Sequence, residues 1–273
     1  MEWTRAKKYT IIILLLLNVI LFGLNMYQKF ETRLSSSRIN GVTTVLENKG
    51  ITIASTLPRN YKPMADMSVS EITFDYIKLQ KIFMAGQSDV KRTDEYNSVV
   101  FMSDTSRVAI KGSSINYTSE NSVELNDEAS AKAYAKNLID NVNKYFGNYS
   151  FHSIYKIEGG YSIKYYEKVN NHNIFSNFAY FTIKGKNVSL AMNYLKAGSE
   201  LSGKNNIYGA DEALYSAADL IAEEIKDPRI TKVELGYYAI NLNGGSDVVA
   251  VPFYLIIANN KEYYVNAYTG ESF

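Results

Sequence analysis

The sequence predicts an α+β protein held to a membrane by one N-terminal transmembrane helix, its external region built of helix-plus-antiparallel-sheet units. Three observations predict this. The run Tyr9 to Tyr27 carries no charge and is almost wholly apolar. In the second half, a helical stripe followed by several strand-like runs occurs twice. Finally, 23 Tyr, 12 Phe and no Cys describe strands with aromatic faces that gain stability from packing rather than from disulfides.

The apolar run comes first. About twenty helical residues rising ~1.5 Å each cover a hydrocarbon core ~30 Å thick, and a helix satisfies its own backbone groups there. Trp3, Tyr9 and Tyr27 fall near the two interfaces, which amphipathic rings favour. The run is followed by Gln28-Lys29-Phe30-Glu31 rather than a small-x-small cleavage site, so it reads as an uncleaved anchor. Arg5, Lys7 and Lys8 precede it, and Lys29, Arg33 and Arg38 follow, so the charge bias is weak. Orientation is read from size instead. The tail is too short to fold, which places the N-terminus in the cytoplasm and the remainder outside the cell.

Asn18 and Asn25 are seven residues apart and share a helix face. Read as a heptad seam, that face runs Ile11, Leu14, Asn18, Leu21, Asn25, Gln28. An Asn within lipid seeks a hydrogen-bond partner, and a neighbouring helix can supply one worth about 0.6 to 2 kcal/mol. Asn25 and Gln28 also suit the outer interface, where they cost little.

After the span, Ile39, Val42 and Leu46 form a loose stripe, read as a helix leaving the membrane, broken at Ser35-Ser36-Ser37 and stopped at Gly50. Ile51 to Ala54 alternates like a short strand. Ser68-Val69-Ser70-Glu71 has the spacing of a capping box, and Val69, Ile72, Tyr76, Leu79 and Phe83 follow at helical spacing up to Gly86. Val99 to Met102 and Arg107 to Ile110 flank Asp104-Thr105-Ser106 as a hairpin.

Asn126-Asp127-Glu128 then opens a helix with the stripe Tyr134, Leu138, Val142, Phe146, closed by Gly147. Strands are expected over 151–157, 161–169, 178–184 and 187–195. The pattern recurs when Asp211-Glu212 opens the stripe Leu214, Ala217, Ile221, Ile225, stopped at Asp227-Pro228. Strands over 232–242, 249–258 and 262–267 follow, and Pro252 argues for an edge or a bulge. The expected organisation is a tail (1–8), a transmembrane helix (9–27), a juxtamembrane helix or linker (28–50) and three external units (51–125, 126–205, 206–273).

Little in the chain speaks for catalysis. Ser88-x-x-Lys91 lies in a loop, and Ser153-x-x-Lys156 lies in a strand, where that spacing points to opposite faces. His152 and His172 have no ligand-like or nucleophile-like neighbour in sequence, and two His without Cys argue against zinc. The pairs Asp127/Glu128 and Asp211/Glu212 open helices, where carboxylates favour the positive dipole end. Asn243 to Asp247 is a flexible hairpin loop with too few oxygens for Ca²⁺. A formal net charge of +1 offers no field for nucleic acid. Neither a cofactor nor a metal is expected.

Met1-Glu2-Trp3-Thr4-Arg5-Ala6-Lys7 before an apolar helix carrying Asn18 resembles the start of the YycI family, as does Leu46 to Ile51 through Leu57-Pro58. That resemblance implies a non-enzymatic accessory protein of the WalK (YycG) sensor histidine kinase of Gram-positive bacteria. Such a protein and a YycH-like companion sit beside the kinase, contact it through their membrane helices and adjust its signalling in cell-wall homeostasis. Val251-Pro252-Phe253-Tyr254 and Tyr264 to Glu271 are similar to a PepSY-type ending, although many such domains carry Asp where Asn266 stands. This second likeness implies an alternative, an anchored inhibitor or chaperone of an extracellular protease.

Overall fold

The computed structural model describes residues 2–121, 124–201, 203–241 and 248–273, without the side chains of residues 2, 4–6, 25 and 27–31. The loop Asn243 to Asp247 therefore lies outside the described residues. The chain folds as an apolar N-terminal helix followed by helices on a large, mostly antiparallel sheet.

Helix α1 runs Glu2–Glu31, about 45 Å at the helical rise. Its stretch Lys7–Leu24 is long and apolar enough to cross a membrane, and none of it is buried against the rest of the protein. The serine cluster breaks the helix as expected. Ser35 caps helix α2 (Ser36–Asn48) by accepting from Arg38 N at 3.2 Å, and Gly50 follows its end with φ +76°.

The next segment corrects one expectation. Met67–Ser70 is a strand, β2, after the short β1 (Thr52–Ile53), and helix α3 spans only Tyr76–Phe83. The capping box at Ser68 does not form. Met67 and Val69 are buried in strand alternation, and Asp75 caps α3 instead, accepting from Ile77 N and Lys78 N. Tertiary pairing has overridden a local helix signal.

The hairpin at Asp104 forms between β4 (Ser98–Met102) and β5 (Ser106–Lys111), flanked by β3 (Lys91–Glu95) and β6 (Ser114–Glu120). Helix α4 (Glu128–Asn143) opens on Asp127 and leads into β7 (Tyr149–Ile157), β8 (Gly160–Val169), β9 (His172–Lys184) and β10 (Asn187–Asn193). After β11 (Lys196–Glu200), helix α5 (Ala210–Glu224) leads into β12 (Arg229–Asn241), β13 (Val248–Ala258) and β14 (Lys261–Asn266).

The path through the sheet is β11-β2-β13-β12-β9-β10-β6-β5-β4-β3, with β14 on β13, β1 on β12, and β7–β8 beside β9. Strands of the 51–125 segment thus join both later units. One buried cluster sets α3 and α4 against β4–β6 and β7–β10, through Ile139, Val142, Phe181 and Leu190. Another sets α2 and α5 against β12–β14, through Val42, Leu46, Leu214, Ile221 and Tyr254. The far face of β13 is buried as well, by Val251, Phe253 and Leu255 among the rings of Tyr166 and Phe175.

Pro252 lies in this internal strand, not at a sheet edge. Its carbonyl accepts from Ala267 N at 2.9 Å. The missing N–H faces the same side, in the gap between the β2 pairing at Ala250 and the β14 pairing at Phe253. No ladder bond is lost there. Between the two units, β12 and β9 run parallel and pair at Tyr237 and Ile174. Gly236 permits this approach, because a Cβ there would stand 2.4 Å from the Asn173 carbonyl oxygen.

Candidate functional site

The expected contact seam lies on α1. Ile11, Leu14 and Leu21 are exposed along one side of the helix, as is Asn18. Asn18 donates Nδ2–H to the Leu14 carbonyl at 2.9 Å, so one amide hydrogen is satisfied within the helix. Leu15, Val19, Leu21 and Phe22 surround Asn18 in a shallow notch. The side chains of Asn25 and Gln28, the outer end of the seam, lie outside the described residues.

Where α1 ends, the chain is clamped at once. Leu34 N donates to the Arg59 carbonyl at 2.7 Å, Tyr61 N donates to the Thr32 carbonyl at 3.0 Å, and Leu34 is buried. One turn into α2, Arg38 forks onto Asp211 of α5, with Nε 2.7 Å from Oδ2 and Nη2 2.8 Å from Oδ1. Its Nη1 donates to the Tyr61 hydroxyl at 2.7 Å. Burial alone would lower the guanidinium pKa, but the hydrogen bond and charge of Asp211 outweigh it and raise the value. The Asp211 side chain is only 6 % exposed. Glu212 caps α5, accepting from Gly209 N at 2.7 Å. From the sequence alone, the positive end of the helix dipole accounts for Asp211 and Glu212. The structure adds an ion pair to a residue 173 positions away, and no local signal announces such a partner.

A second polar cluster joins the two repeated units. Glu234 on β12 accepts from Asn173 on β9, stands 2.9 Å from Lys232 Nζ, and faces His152 Nε2 on β7 at 3.2 Å. Burial would raise the Glu234 pKa, yet the bonds from His152 and Lys232 and their charges hold it down at about 2. Nearby, Lys164 on β8 meets Glu262 on β14 at 2.5 Å, and the Tyr166 and Tyr264 hydroxyls donate to the same carboxylate.

Ser153 Oγ lies 3.4 Å from His152 Nδ1, so Ser153, His152 and Glu234 line up in the order of a hydrolytic triad. The imidazole is 2 % exposed and sits edge-on against Tyr166. The arrangement braces the junction. His172 opens β9 after the turn at Asn170 and Asn171, its ring edge-on to Tyr237. Among the described residues, no three His, Cys, Asp or Glu side chains are placed to hold a metal ion.

These features define a class of protein: a helix fit to span a membrane, uncovered over Lys7–Leu24 and clamped at its exit to an α+β body. The YycI family model, described as YycI protein, matches residues 31–268, and the chain belongs to that family. Membership implies a non-enzymatic accessory role beside a WalK-type kinase. No curated protein matches the chain. Among solved structures, an uncharacterized protein from Eubacterium rectale ATCC 33656 shares the fold at TM-score 0.55 and 10 % identity, over 86 % of this chain and 98 % of that one. The Bacillus megaterium YpeB C-terminal domain aligns at TM-score 0.41 and 9 % identity, over 74 % of this chain and 96 % of that one.

Proposed function

We propose that this protein regulates a cell-wall-sensing two-component histidine kinase from within the membrane, by packing α1 against the kinase's membrane helices. The N-terminus lies in the cytoplasm and the sheet domain outside, where it meets a YycH-like companion. The observation that carries this reading is the uncovered seam of α1, with Asn18 at its centre and a clamped exit behind it. A contact of this kind biases the kinase only by the difference in its energy between the kinase's two states.

Replacing Asn18 removes the seam's central polar group without touching the external domain. Asn18→Leu should weaken co-purification with the kinase several-fold and alter wall-regulon expression, given about 0.6 to 2 kcal/mol for an interhelical hydrogen bond. Unchanged association and expression would remove the seam from the mechanism. A soluble fragment beginning at Thr32 keeps the clamp and α2. Full regulatory action by that fragment alone would favour the anchored protease inhibitor or chaperone instead.

A further inference from the structure

Just past the apolar run the chain turns basic. The stretches 28–34 and 58–63 hold four basic residues, Lys29, Arg33, Arg59 and Lys62, against the single acid Glu31, in a chain whose formal net charge is only +1. Sequence alone does not bring the two stretches together. The clamp does: Leu34 N donates to the Arg59 carbonyl at 2.7 Å, Tyr61 N donates to the Thr32 carbonyl at 3.0 Å, and Arg33 faces Asn60 in an antiparallel bridge.

Burial decides which side chains stay free. Leu34 is buried, whereas Arg33, Arg59 and Lys62 are exposed. None of these three forms an ion pair among the described residues. The carboxylates that open α5, Asp211 and Glu212, are engaged by Arg38 instead. The three cations form a collar whose charge the folded chain leaves unneutralised.

Connectivity fixes the depth of this collar. Helix α1 continues to Glu31, four residues or about 6 Å past Tyr27, and two extended residues more bring Arg33 to within about 13 Å of the apolar run. The clamp holds Arg59 and Lys62 at about the same level. A headgroup layer is about 5 to 8 Å deep, and at physiological ionic strength the field of an anionic surface carries a further ~8 Å. Long basic side chains place their charge at such a boundary. Free guanidinium and ammonium groups at this depth recognise phosphate, the first bidentately and the second as a point charge. We propose that the collar binds the phosphates of anionic phospholipids in the leaflet at the C-terminal end of α1, seating the folded body on the bilayer. The proposal rests on α1 spanning the membrane, and on neither the kinase contact nor the orientation.

The test reconstitutes the full chain in phosphatidylcholine bilayers with spin-labelled phosphatidylglycerol or spin-labelled phosphatidylcholine. Electron spin resonance reads the fraction of each probe immobilised at the protein. The anionic probe should be preferred at ~0.15 M salt, and the preference should shrink at ~1 M, where the screening length falls to about 3 Å. A basic residue near an anionic surface is worth about fivefold. Arg33→Gln/Arg59→Gln/Lys62→Gln should therefore lower the preference by at least about twofold, leaving the share of Arg5, Lys7 and Lys8 at the other end of the span. Arg33→Lys with Arg59→Lys keeps the charge and should retain most of the preference. Lys91→Gln on β3, at the far end of the sheet path, should leave it unchanged. The substituted side chains are all exposed, so an unaltered melting temperature certifies the variants as folded. The proposal is overturned if the folded triple variant keeps the full preference, or if the charge-conserving variant loses as much as the neutral one. It is also overturned if inorganic phosphate abolishes the preference where chloride of equal ionic strength does not, which would make the collar a site for the free ion. A chain stripped from the bilayers by an alkaline carbonate wash overturns the span and the collar together. Retention without anionic preference overturns the collar alone.

Discussion

Helices α1 and α2 are separated by four residues and dispose of their apolar side chains in opposite ways. In α1, Ile11 to Leu24 presents apolar side chains all round and touches nothing else in the chain. The 13 residues of α2 carry a narrow stripe, of which Val42 and Leu46 are fully buried against α5. A helix apolar on every side needs a surrounding apolar medium, whereas one apolar on a single stripe needs a single neighbour. The first helix is therefore available to a partner, and the second belongs to the folded body.

Substitution can break this contrast at several points. The largest expected effect is at Leu46: Leu46→Ala should cost about 2 to 5 kcal/mol of domain stability, as buried Leu-to-Ala changes do. Leu17→Ala in α1 should leave the same denaturant midpoint unmoved. Equal losses from the two would erase the distinction. Next is Arg38→Ala, which strands a nearly buried Asp211 carboxylate. Breaking such a pair costs about 3 to 5 kcal/mol when fully buried, and the partial exposure of Arg38 reduces this to roughly 1 to 3 kcal/mol. Arg38→Ala with Asp211→Asn should recover part of the loss in thermal unfolding.

The junction between the repeated units gives a pH-dependent comparison with the α2 tie. Glu234 has a folded pKa of about 2, below its ordinary 4.5. A depressed carboxylate stabilises the fold above its unfolded pKa and loses that contribution as pH falls through the folded one. Acid titration followed by circular dichroism should therefore show stability falling between about pH 4.5 and 2, and Glu234→Gln should flatten that fall. An unchanged slope would mean that the junction does not depend on this carboxylate. The smallest effect belongs to Lys49, whose ion pair with Asp219 is exposed. Lys49→Ala should shift stability by no more than about 0.5 kcal/mol.

How far the fold was legible follows from what each segment depends on. Helices α4 and α5 announce themselves because their signals are local: Asp127 caps α4 directly, and the Leu214 to Ile221 spacing lies within α5. The hairpin at Asp104 and the strands from Tyr149 onward carry alternation that survives unaided. Strand β2 was unreadable because Ser68-Val-Ser-Glu71 satisfies a helix rule, while its pairing with β13 and β11 comes from residues far along the chain. Strands β3 and β6 were too polar to register, as Lys-Arg-Thr-Asp-Glu and Ser-Ile-Asn-Tyr-Thr-Ser-Glu show. Of the seam, the apolar run and its Asn spacing were visible from the start. The grip behind it was not, since Arg38–Asp211 and the 32–34 clamp join residues distant in sequence.

That grip has a geometric corollary. Each residue added to a helix turns everything beyond it by about 100°. With the chain held at Thr32 to Leu34, no slack remains to absorb such a twist. The bearing of the folded body around the α1 axis is set by the phase of that helix, as a compass card is set by its pivot. Inserting one residue between Leu24 and Thr32 would therefore turn every flank of the domain by about 100° relative to the apolar stretch.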